Sequence, residues 1–309
     1  VPLDRETILP TYMCHDCLSC REACNHDQDV PSMLAESRIE LAGSGQEPVS
    51  SPTDTFDMEE SWRLLRDTAP SWRRVEECQA LLVPGRELLH KDGIKILQAI
   101  FRVLDLVDDK VVGVNRDSVL ECGHHPYAHA DIEGATREAT RAFNRYGRYS
   151  RVVLGSPHCA SFMRLKWPEM GMDRSKQAVT ILEFVGKKVD VSNPGFYPKR
   201  VAYHDPCHLG RHLGLYQVAR DLLKWATNHR PVELAYSRNR AYCCGGGYPV
   251  EAVAPQAADR VTDMLVELFE NSGADVLATS CGRCKQRLKK ARKGLKVFHL
   301  MEIIGKAKK

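Results

Sequence analysis

The chain has 309 residues, of which 43% are hydrophobic and 27% charged, and its formal net charge is +4. This composition excludes intrinsic disorder and leaves room for two or three packed domains. The 12 cysteines are too few and too unevenly clustered for a disulfide-stapled scaffold, and no secretory leader is evident, so we expect a cytoplasmic protein. Apolar runs such as Ala178 to Gly186 fall far short of the roughly 20 residues that span a bilayer, so any membrane association is expected through a partner subunit.

The first feature in chain order is a cysteine run with the spacing C-x2-C-x2-C-x3-C, made of Cys14, Cys17, Cys20 and Cys24. Ferredoxins use this spacing to hold a cubane [4Fe-4S] cluster, and a zinc knuckle is the alternative. Asn25 stands where two-cluster ferredoxins have proline. Either Cys24 completes the cluster of its own run, or a second motif lies outside this sequence. Cys78 is a weaker candidate for a fourth ligand and fits better as a small buried hydrophobe.

The organisation predicted beyond this run is a helix, a linker and then two larger units. The helix is expected over 32–41, and a linker rich in Gly, Ser and Pro is expected over 43–52. We therefore expect a small α-helical, ferredoxin-like segment at 1–60, a first unit at 75–195 and a second at 196–309.

The two larger units read as homologous halves, because three short motifs recur at offsets of 121, 122 and 125 residues. Chance similarity of strand-turn segments is the alternative. The matched positions pair Arg86 with Cys207, Glu121 with Cys243, and Ser156 with Cys281. The first half has thus lost most of the cysteines that the second half carries, and of the motif it keeps Cys122 and Cys159.

Each half is predicted to be α/β with a parallel sheet. Short apolar runs over 81–83, 151–154, 201–203 and 275–278 alternate with segments of helical periodicity. Cys207 and Cys281 each follow a predicted strand and precede a predicted helix. Ligands bind at this edge of an open parallel sheet, so we expect these loops to bring their cysteines together.

The second half carries five cysteines in the pattern C-x35-C-C-G-x35-C-x-x-C, formed by Cys207, Cys243, Cys244, Cys281 and Cys284. Thiolate is the ligand that multi-iron centres select. A structural zinc site needs only four ligands, and the adjacency of two of these cysteines strains their binding to one small ion. An iron–sulfur centre is therefore favoured over zinc, a reactive dithiol or plain buried cysteines.

The motifs His204 to Arg211, Cys243 to Gly247 and Ser280 to Cys284 resemble the cysteine-rich CCG domain. This domain is shared by heterodisulfide reductase catalytic subunits and by the iron–sulfur subunits of glycolate and lactate oxidases. The resemblance covers essentially the whole chain and implies two tandem CCG domains after a ferredoxin-like segment. It also implies that the five cysteines of the second half hold a non-cubane [4Fe-4S] cluster. The first half lacks that set, so a pair of such clusters is not expected.

The resemblance and the cysteine pattern together predict an iron–sulfur oxidoreductase subunit that passes electrons between the two clusters. A small disulfide or thiol is the expected substrate, with His204 and His208 as candidates for proton delivery. Flavoprotein, ferredoxin-like or quinone-linked subunits are the expected partners. One alternative is an electron relay of a flavin-dependent hydroxyacid oxidase, and another is a zinc-stabilised scaffold. Nucleic acid is not expected, because the basic stretch over 283–296 lacks interleaved aromatic residues.

Overall fold

The computed structural model describes residues 5–26, 28–46, 56–107, 109–247 and 249–307. Most of the linker expected over 43–52 lies outside these residues. The N-terminal segment contains the helices α1 (Arg5–Tyr12), α2 (Ser19–Ala23) and α3 (Val30–Gly43). Helix α3 is longer than predicted because Asp29 caps its first turn, where the Asp29 carboxylate accepts a hydrogen bond from the backbone N–H of Ser32.

Two four-stranded parallel sheets form the body of the protein, which is the α/β architecture that the sequence predicts. The first sheet has the order β2-β1-β3-β4 and the second the equivalent order β6-β5-β7-β8. The first sheet consists of β1 (Ala80–Val83), β2 (Val112–Gly113), β3 (Arg151–Leu154) and β4 (Ala178–Thr180). The second consists of β5 (Val201–His204), β6 (Val232–Glu233), β7 (Val276–Thr279) and β8 (Val297–His299).

Helices connect the strands in both halves, as parallel pairing requires. Those that precede or belong to the first sheet are α4 (Met58–Thr68), α5 (Ile94–Leu106), α6 (His124–Ala128), α7 (Ile132–Tyr146), α8 (Pro157–Ser161), α9 (Trp167–Glu169) and α10 (Ile181–Gly186). Those of the second are α11 (Gln217–Thr227), α12 (Val250–Val253), α13 (Pro255–Glu270), α14 (Gly282–Ala291) and α15 (Leu300–Ile304).

The two sheets share one hydrophobic core. Helices α5 and α10 from the first half pack against α11 and α15 from the second, and buried residues of both sheets join the same cluster. Leu82 and Val153 face this shared core, whereas Leu81 and Val152 face a separate core on the other side of the first sheet. The shared core fixes one half against the other, and it thereby fixes the loops at their strand ends.

The carboxyl ends of the central strands carry the motif loops. Cys281 lies two positions after the end of β7 and immediately before α14. Cys207 also follows its strand and precedes a helix, but a run of turns separates it from α11. This extended turn is closed by its own backbone hydrogen bonds, such as the bond from His212 N–H to Cys207 C=O at 3.1 Å. The limits of the proposed domains stay a prediction.

Among the residues that the structure describes, no helix is both long enough and apolar enough to cross a membrane.

Candidate metal centre

Five cysteines of the second half line one cavity of about 70 Å³, which we call the cysteine cavity. They arrive on three loops: Cys207 after β5, the pair Cys243 and Cys244 before α12, and Cys281 and Cys284 around the start of α14. A single water needs about 10–15 Å³ of such volume, so the cavity has room for more than one atom-sized guest. Residues 77 positions apart in sequence thus meet at one point.

The five sulfurs form one contiguous chain of contacts. Cys243 contacts Cys207 and Cys244, and Cys284 contacts Cys244 and Cys281. Hydrogen bonds from Cys243 and Cys284 hold the pKa of Cys244 well below its ordinary value, and a hydrogen bond from Cys284 lowers the pKa of Cys281 to about 6. Metal ligation needs deprotonated sulfur, so these two cysteines are predisposed to bind metal.

The environment of His204 also fits a metal centre. The side chain is 1% exposed, and neither ring nitrogen has a hydrogen-bond partner of ordinary geometry. One of its nitrogens and the sulfurs of Cys244 and Cys284 all lie within 4.8 Å of one another. Burying an unpaired imidazole is costly, so this arrangement fits a ligand or a cluster sulfur that the ring would contact. Among the described residues, His208 lines the cysteine cavity and His204 does not.

The loop after Cys244 is shaped to hold that sulfur. Gly245 has a φ of 76°, a conformation that favours glycine, and a side chain there would meet the carbonyl of Ala258 and the hydroxyl of Thr262, each at 2.4 Å. The next residue, Gly246, points its N–H at the Cys244 sulfur at 3.4 Å. Such N–H to sulfur bonds are one of the features that set the potential of iron–sulfur centres.

The N-terminal cysteine run lies against the cysteine cavity. The thiol of Cys243 donates a hydrogen bond to Cys17, and this bond lowers the pKa of Cys17 to about 6. The guanidinium of Arg211 donates to the carbonyls of Cys17 and Ala241, and the ring of His212 bonds the carbonyl of Asp16 at 2.8 Å. The run is thus tied to the loop that carries Cys207.

Within the run, backbone N–H groups also approach sulfur. Cys14 and Cys24 each accept a backbone hydrogen bond at 3.4 Å from the residue two positions later, and Cys17 accepts one from Ser19. Cys20 is exposed. In the described part of the chain, no three of these four sulfurs lie within 4.8 Å of one another. The ligand set of a cubane here therefore stays a prediction.

The first half supplies side chains to the cavity of the second. His158 places its Nδ1 atom 3.9 Å from the sulfur of Cys281 and 3.6 Å from a carboxylate oxygen of Glu87. Burial alone would lower the pKa of His158, but the Cys281 thiolate and Glu87 outweigh it and raise this pKa well above its ordinary value. Ser161 hydrogen-bonds the ring of His208 at 2.8 Å. The cysteine cavity is therefore completed from both halves.

Four histidines form a contiguous group at the cavity. The ring centroids of His158 and His212 each lie 4.2 Å from that of His208, and His124 lies 5.2 Å from it. Burial is the main cause that lowers the pKa of His124, His208 and His212. Neutral rings beside one cationic His158 can donate hydrogen bonds or carry protons, in keeping with the tuning role expected for histidines near a metal.

Sequence reasoning missed Glu87 and Ser161. The repeat that pairs Arg86 with Cys207 also pairs Glu87 with His208, and this offset is the signal that would have pointed to Glu87. Ser161 carries no comparable signal, because its contact depends only on how the halves pack. Cys78 is half-buried, packs beside the core of the first half and is not among the residues that line the cysteine cavity, so its interpretation as a small buried hydrophobe stays a prediction.

The equivalent site of the first half lacks most of the cysteines. Arg86 and Glu121, which replace two cysteines, form an ion pair at 3.2 Å. Ser156 replaces a third and caps α8 through its bond from the N–H of Cys159. The same strand-end geometry thus carries a charge pair in one half and thiolates in the other.

Comparison with known proteins agrees with this geometry. Residues 201–289 match the model of the cysteine-rich CCG domain, and this range contains all five cavity cysteines. The family match thus falls within the second half. The chain is also similar to one of the subunits of dihydromethanophenazine:CoB–CoM heterodisulfide reductase from Methanosarcina barkeri, with 28% identity over 57% of this chain and 46% of the relative. A lactate utilization protein is also among the relatives, so the chain resembles both of the families expected from the motifs.

Lactate utilization protein A of Bacillus subtilis is 24% identical over 60% of this chain and 82% of its own length. A probable membrane-anchored ferredoxin of Chromohalobacter salexigens is 25% identical over 93% of this chain and 45% of its own. The chain spans less than half the length of the heterodisulfide reductase subunits that it matches. These relatives and the CCG match point to iron–sulfur clusters and to an electron-transfer subunit of an oxidoreductase.

The residues present fit such a group. The cavity offers soft thiolate donors, two of them with lowered pKa, together with an N–H directed at sulfur and an unpartnered imidazole. This donor set matches the preference of iron–sulfur centres, while the cavity volume exceeds the need of a single ion.

Proposed function

We propose that the chain is an electron-transferring iron–sulfur subunit that binds a non-cubane [4Fe-4S] cluster in the cysteine cavity and a cubane [4Fe-4S] cluster on the N-terminal run. The observation that carries this proposal is the meeting of five cysteines from three loops in one cavity. The residues assigned as ligands are Cys207, Cys243, Cys244, Cys281 and Cys284 for the first cluster and Cys14, Cys17, Cys20 and Cys24 for the second. Such clusters supply one-electron transfer.

The contact between Cys17 and Cys243 supports an electron path between the two ligand sets. The side chains of Cys17 and Cys243 are in contact, and Arg211 bridges the loops that carry them. Contact between the ligands would keep the two clusters close together, so electrons would not have to cross solvent between them. The contact allows electron transfer in either direction between the two ligand sets.

A small disulfide or thiol is the proposed substrate of the cysteine cavity. The wall combines thiolates with His124, His158 and His208, and His158 keeps its positive charge beside the sulfur of Cys281. A cationic imidazole stabilises a thiolate that arrives or forms next to it. His208 lies on the wall and fits proton delivery to such a sulfur, while His204 lies beside Cys244 and Cys284 and fits the support of the cluster.

The experiment is anaerobic reconstitution with iron and sulfide, followed by metal analysis and electron paramagnetic resonance of the oxidised protein with and without added thiol. Replacing Cys244 by Ala should abolish the thiol-dependent signal and leave the signal of the N-terminal cluster. Replacing Cys78 by Ala is the matched control and should change neither. Zinc without iron, or equal iron content in the two variants, would refute the assignment.

A second candidate is a relay without sulfur chemistry, in which the clusters only pass electrons between a flavoprotein and another subunit. It is favoured by lactate utilization protein A, of which this chain covers 82%. In that case the isolated chain should bind both clusters but show no thiol-dependent signal, and it should co-purify with a flavoprotein. The wild-type spectra with and without thiol therefore distinguish the two candidates.

A further inference from the structure

Cys122 and Cys159 are the two cysteines that the first half retains, and the proposed clusters leave them without a role. Their sulfurs lie 3.2 Å apart and share a hydrogen bond. Both side chains are buried, with 5% and 8% exposure. The positions correspond to Cys244 and Cys284 of the second half, where the two sulfurs are also in contact. Of the sulfur–sulfur contacts in the second half, the first half therefore has the equivalent of one.

Cys122 and Cys159 both line a second cavity, of about 230 Å³, that lies between the two halves. Its wall includes Arg86 and Glu121 from the first half and Arg283 from the second. The residues that it shares with the cysteine cavity include His124 and His158, so these two imidazoles form part of the partition between the cavities. A small molecule in the second cavity would thus touch the cysteine pair and lie one side chain away from the proposed cluster.

A metal is a poor occupant of this pair. Within the described residues, no group of three metal-ligating atoms that lie within 4.8 Å of one another includes Cys122 or Cys159. The positions that would complete the set carry the Arg86–Glu121 ion pair and Ser156, which already has a structural contact. A guanidinium beside the site also opposes a cation. What remains is a dithiol next to a cavity.

We propose that Cys122 and Cys159 form a redox-active dithiol that reduces a small disulfide bound in the second cavity. The proposal rests on the proposed function for its supply of electrons. One sulfur of the pair attacks one sulfur of the substrate R–S–S–R′, forms a mixed disulfide with R and releases R′SH, which takes the proton of the attacking thiol. The other cysteine then attacks the protein sulfur of the mixed disulfide, RSH leaves with the second proton, and a Cys122–Cys159 disulfide remains.

The return to two thiols consumes two electrons and two protons, and under the proposed function the electrons arrive singly from the side of the cysteine cavity. The protons have a route along the partition, since His124 and His158 line both cavities. The substrate would then be reduced on one side of the His124 and His158 rings, and the electrons would arrive on the other side.

The two sulfurs are already close to bonding distance, and the Cys122 thiol donates the hydrogen bond that joins them. Either sulfur can open the substrate disulfide, and the other is then placed to resolve the mixed disulfide. Closing the pair from 3.2 Å to the bonded distance of about 2.05 Å needs a shift of only about 1 Å.

The test uses the full chain, reconstituted anaerobically and incubated with hydroxyethyl disulfide as the probe. Free thiols are then alkylated in denaturant, and peptides are mapped by mass spectrometry. We expect a cross-link between the peptides that carry Cys122 and Cys159, and its reversal when a one-electron reductant is added. In Cys159→Ser the probe should stay attached to Cys122. Cys78→Ser is the matched control and should form the cross-link as the wild type does.

Iron and sulfide are measured on the same samples, so that failure of either proposal can be recognised. A wild-type chain that contains its iron but leaves both cysteines alkylatable after excess probe overturns the dithiol proposal and leaves the proposed function standing. A cross-linked chain that binds zinc or no metal after reconstitution overturns the proposed function alone. The decisive measurement is made on the wild type, so it does not depend on the folding of any variant.

Discussion

Replacing Arg220 by Met should strongly destabilise the second half and loosen the loop of Cys207. The side chain of Arg220 is 5% exposed and forms two hydrogen bonds with the carboxylate of Asp205, at 2.7 and 2.9 Å, and two with Glu233, both at 2.7 Å. Asp205 stands two positions before Cys207 and also accepts a hydrogen bond from the N–H of Arg238 at 2.7 Å. The substitution leaves the Asp205 carboxylate buried without its cation.

The magnitude follows from the burial of the pair. Removing one partner of a buried ion pair costs about 3–5 kcal/mol, because the remaining charge is uncompensated. The contact with Glu233 adds little, since that side chain is 42% exposed. Domains are stable by about 5–15 kcal/mol, so the loss is a large share of the total. The same substitution at Arg292, whose partner Glu270 is 41% exposed, should change the stability little, because solvent screens this pair.

Urea denaturation followed by circular dichroism compares the two variants with the wild type, and iron content after gel filtration reports on the Cys207 loop. We expect Arg220→Met to lose iron and Arg292→Met to retain it. Adding Asp205→Asn to Arg220→Met should recover part of the stability, because it removes the stranded charge. Equal free energies of unfolding for the two single variants would refute this account of the loop.

Three further predictions concern the glycine turn, the first half and acid stability. Gly245→Ala should abolish cluster retention, because the added methyl group would overlap Ala258 and Thr262. Gly294 also has a positive φ, of 88°, but has open space around it, so Gly294→Ala should retain iron as the wild type does. Replacing Arg86, Glu121 and Ser156 by cysteine should double the iron held at the equivalent sites of the two halves. The loss of the Ser156 cap of α8 should cost about 1 kcal/mol. Asp117→Asn should lower the free energy of unfolding by about 1–3 kcal/mol at neutral pH, because its carboxylate accepts hydrogen bonds from Arg148, Tyr149 and Arg145 that outweigh burial and lower its pKa.

Each of these has a clear contrary result. Iron loss in Gly294→Ala as well would mean that positive φ alone, and not overlap, disables the turn. Unchanged iron in the cysteine-restored variant would show that the first half no longer has cluster geometry. Because the folded pKa of Asp117 is lowered, its stabilisation is present above the ordinary pKa of 3.8 and is lost as the pH falls through the folded value. A deficit in Asp117→Asn that persists below that range would therefore contradict its assignment to the carboxylate charge.

The sequence by itself determined the local elements and the chemistry of the loops. The strand predicted over 151–154 has its observed limits, and the strand that precedes Cys281 is predicted one position early, at 275–278, where the structure has Val276–Thr279. The offsets between the halves predict two equivalent units, which agrees with their equivalent strand orders. These features are readable because strand, helix and turn preferences act over a few residues, and because parallel strands bring their carboxyl ends to one edge.

Only the tertiary structure decided which distant side chains meet. His158 reaches Cys281 across 123 positions of sequence, and the contact of Cys17 with Cys243 joins the N-terminal run to the second half. The run of turns between Cys207 and α11 gives His208 its place on the cavity wall. These contacts depend on how the halves pack through their shared core of α5, α10, α11 and α15. Hydrophobic periodicity marks a helix face as buried but does not name the surface that covers it, so this packing has no local signature in the sequence.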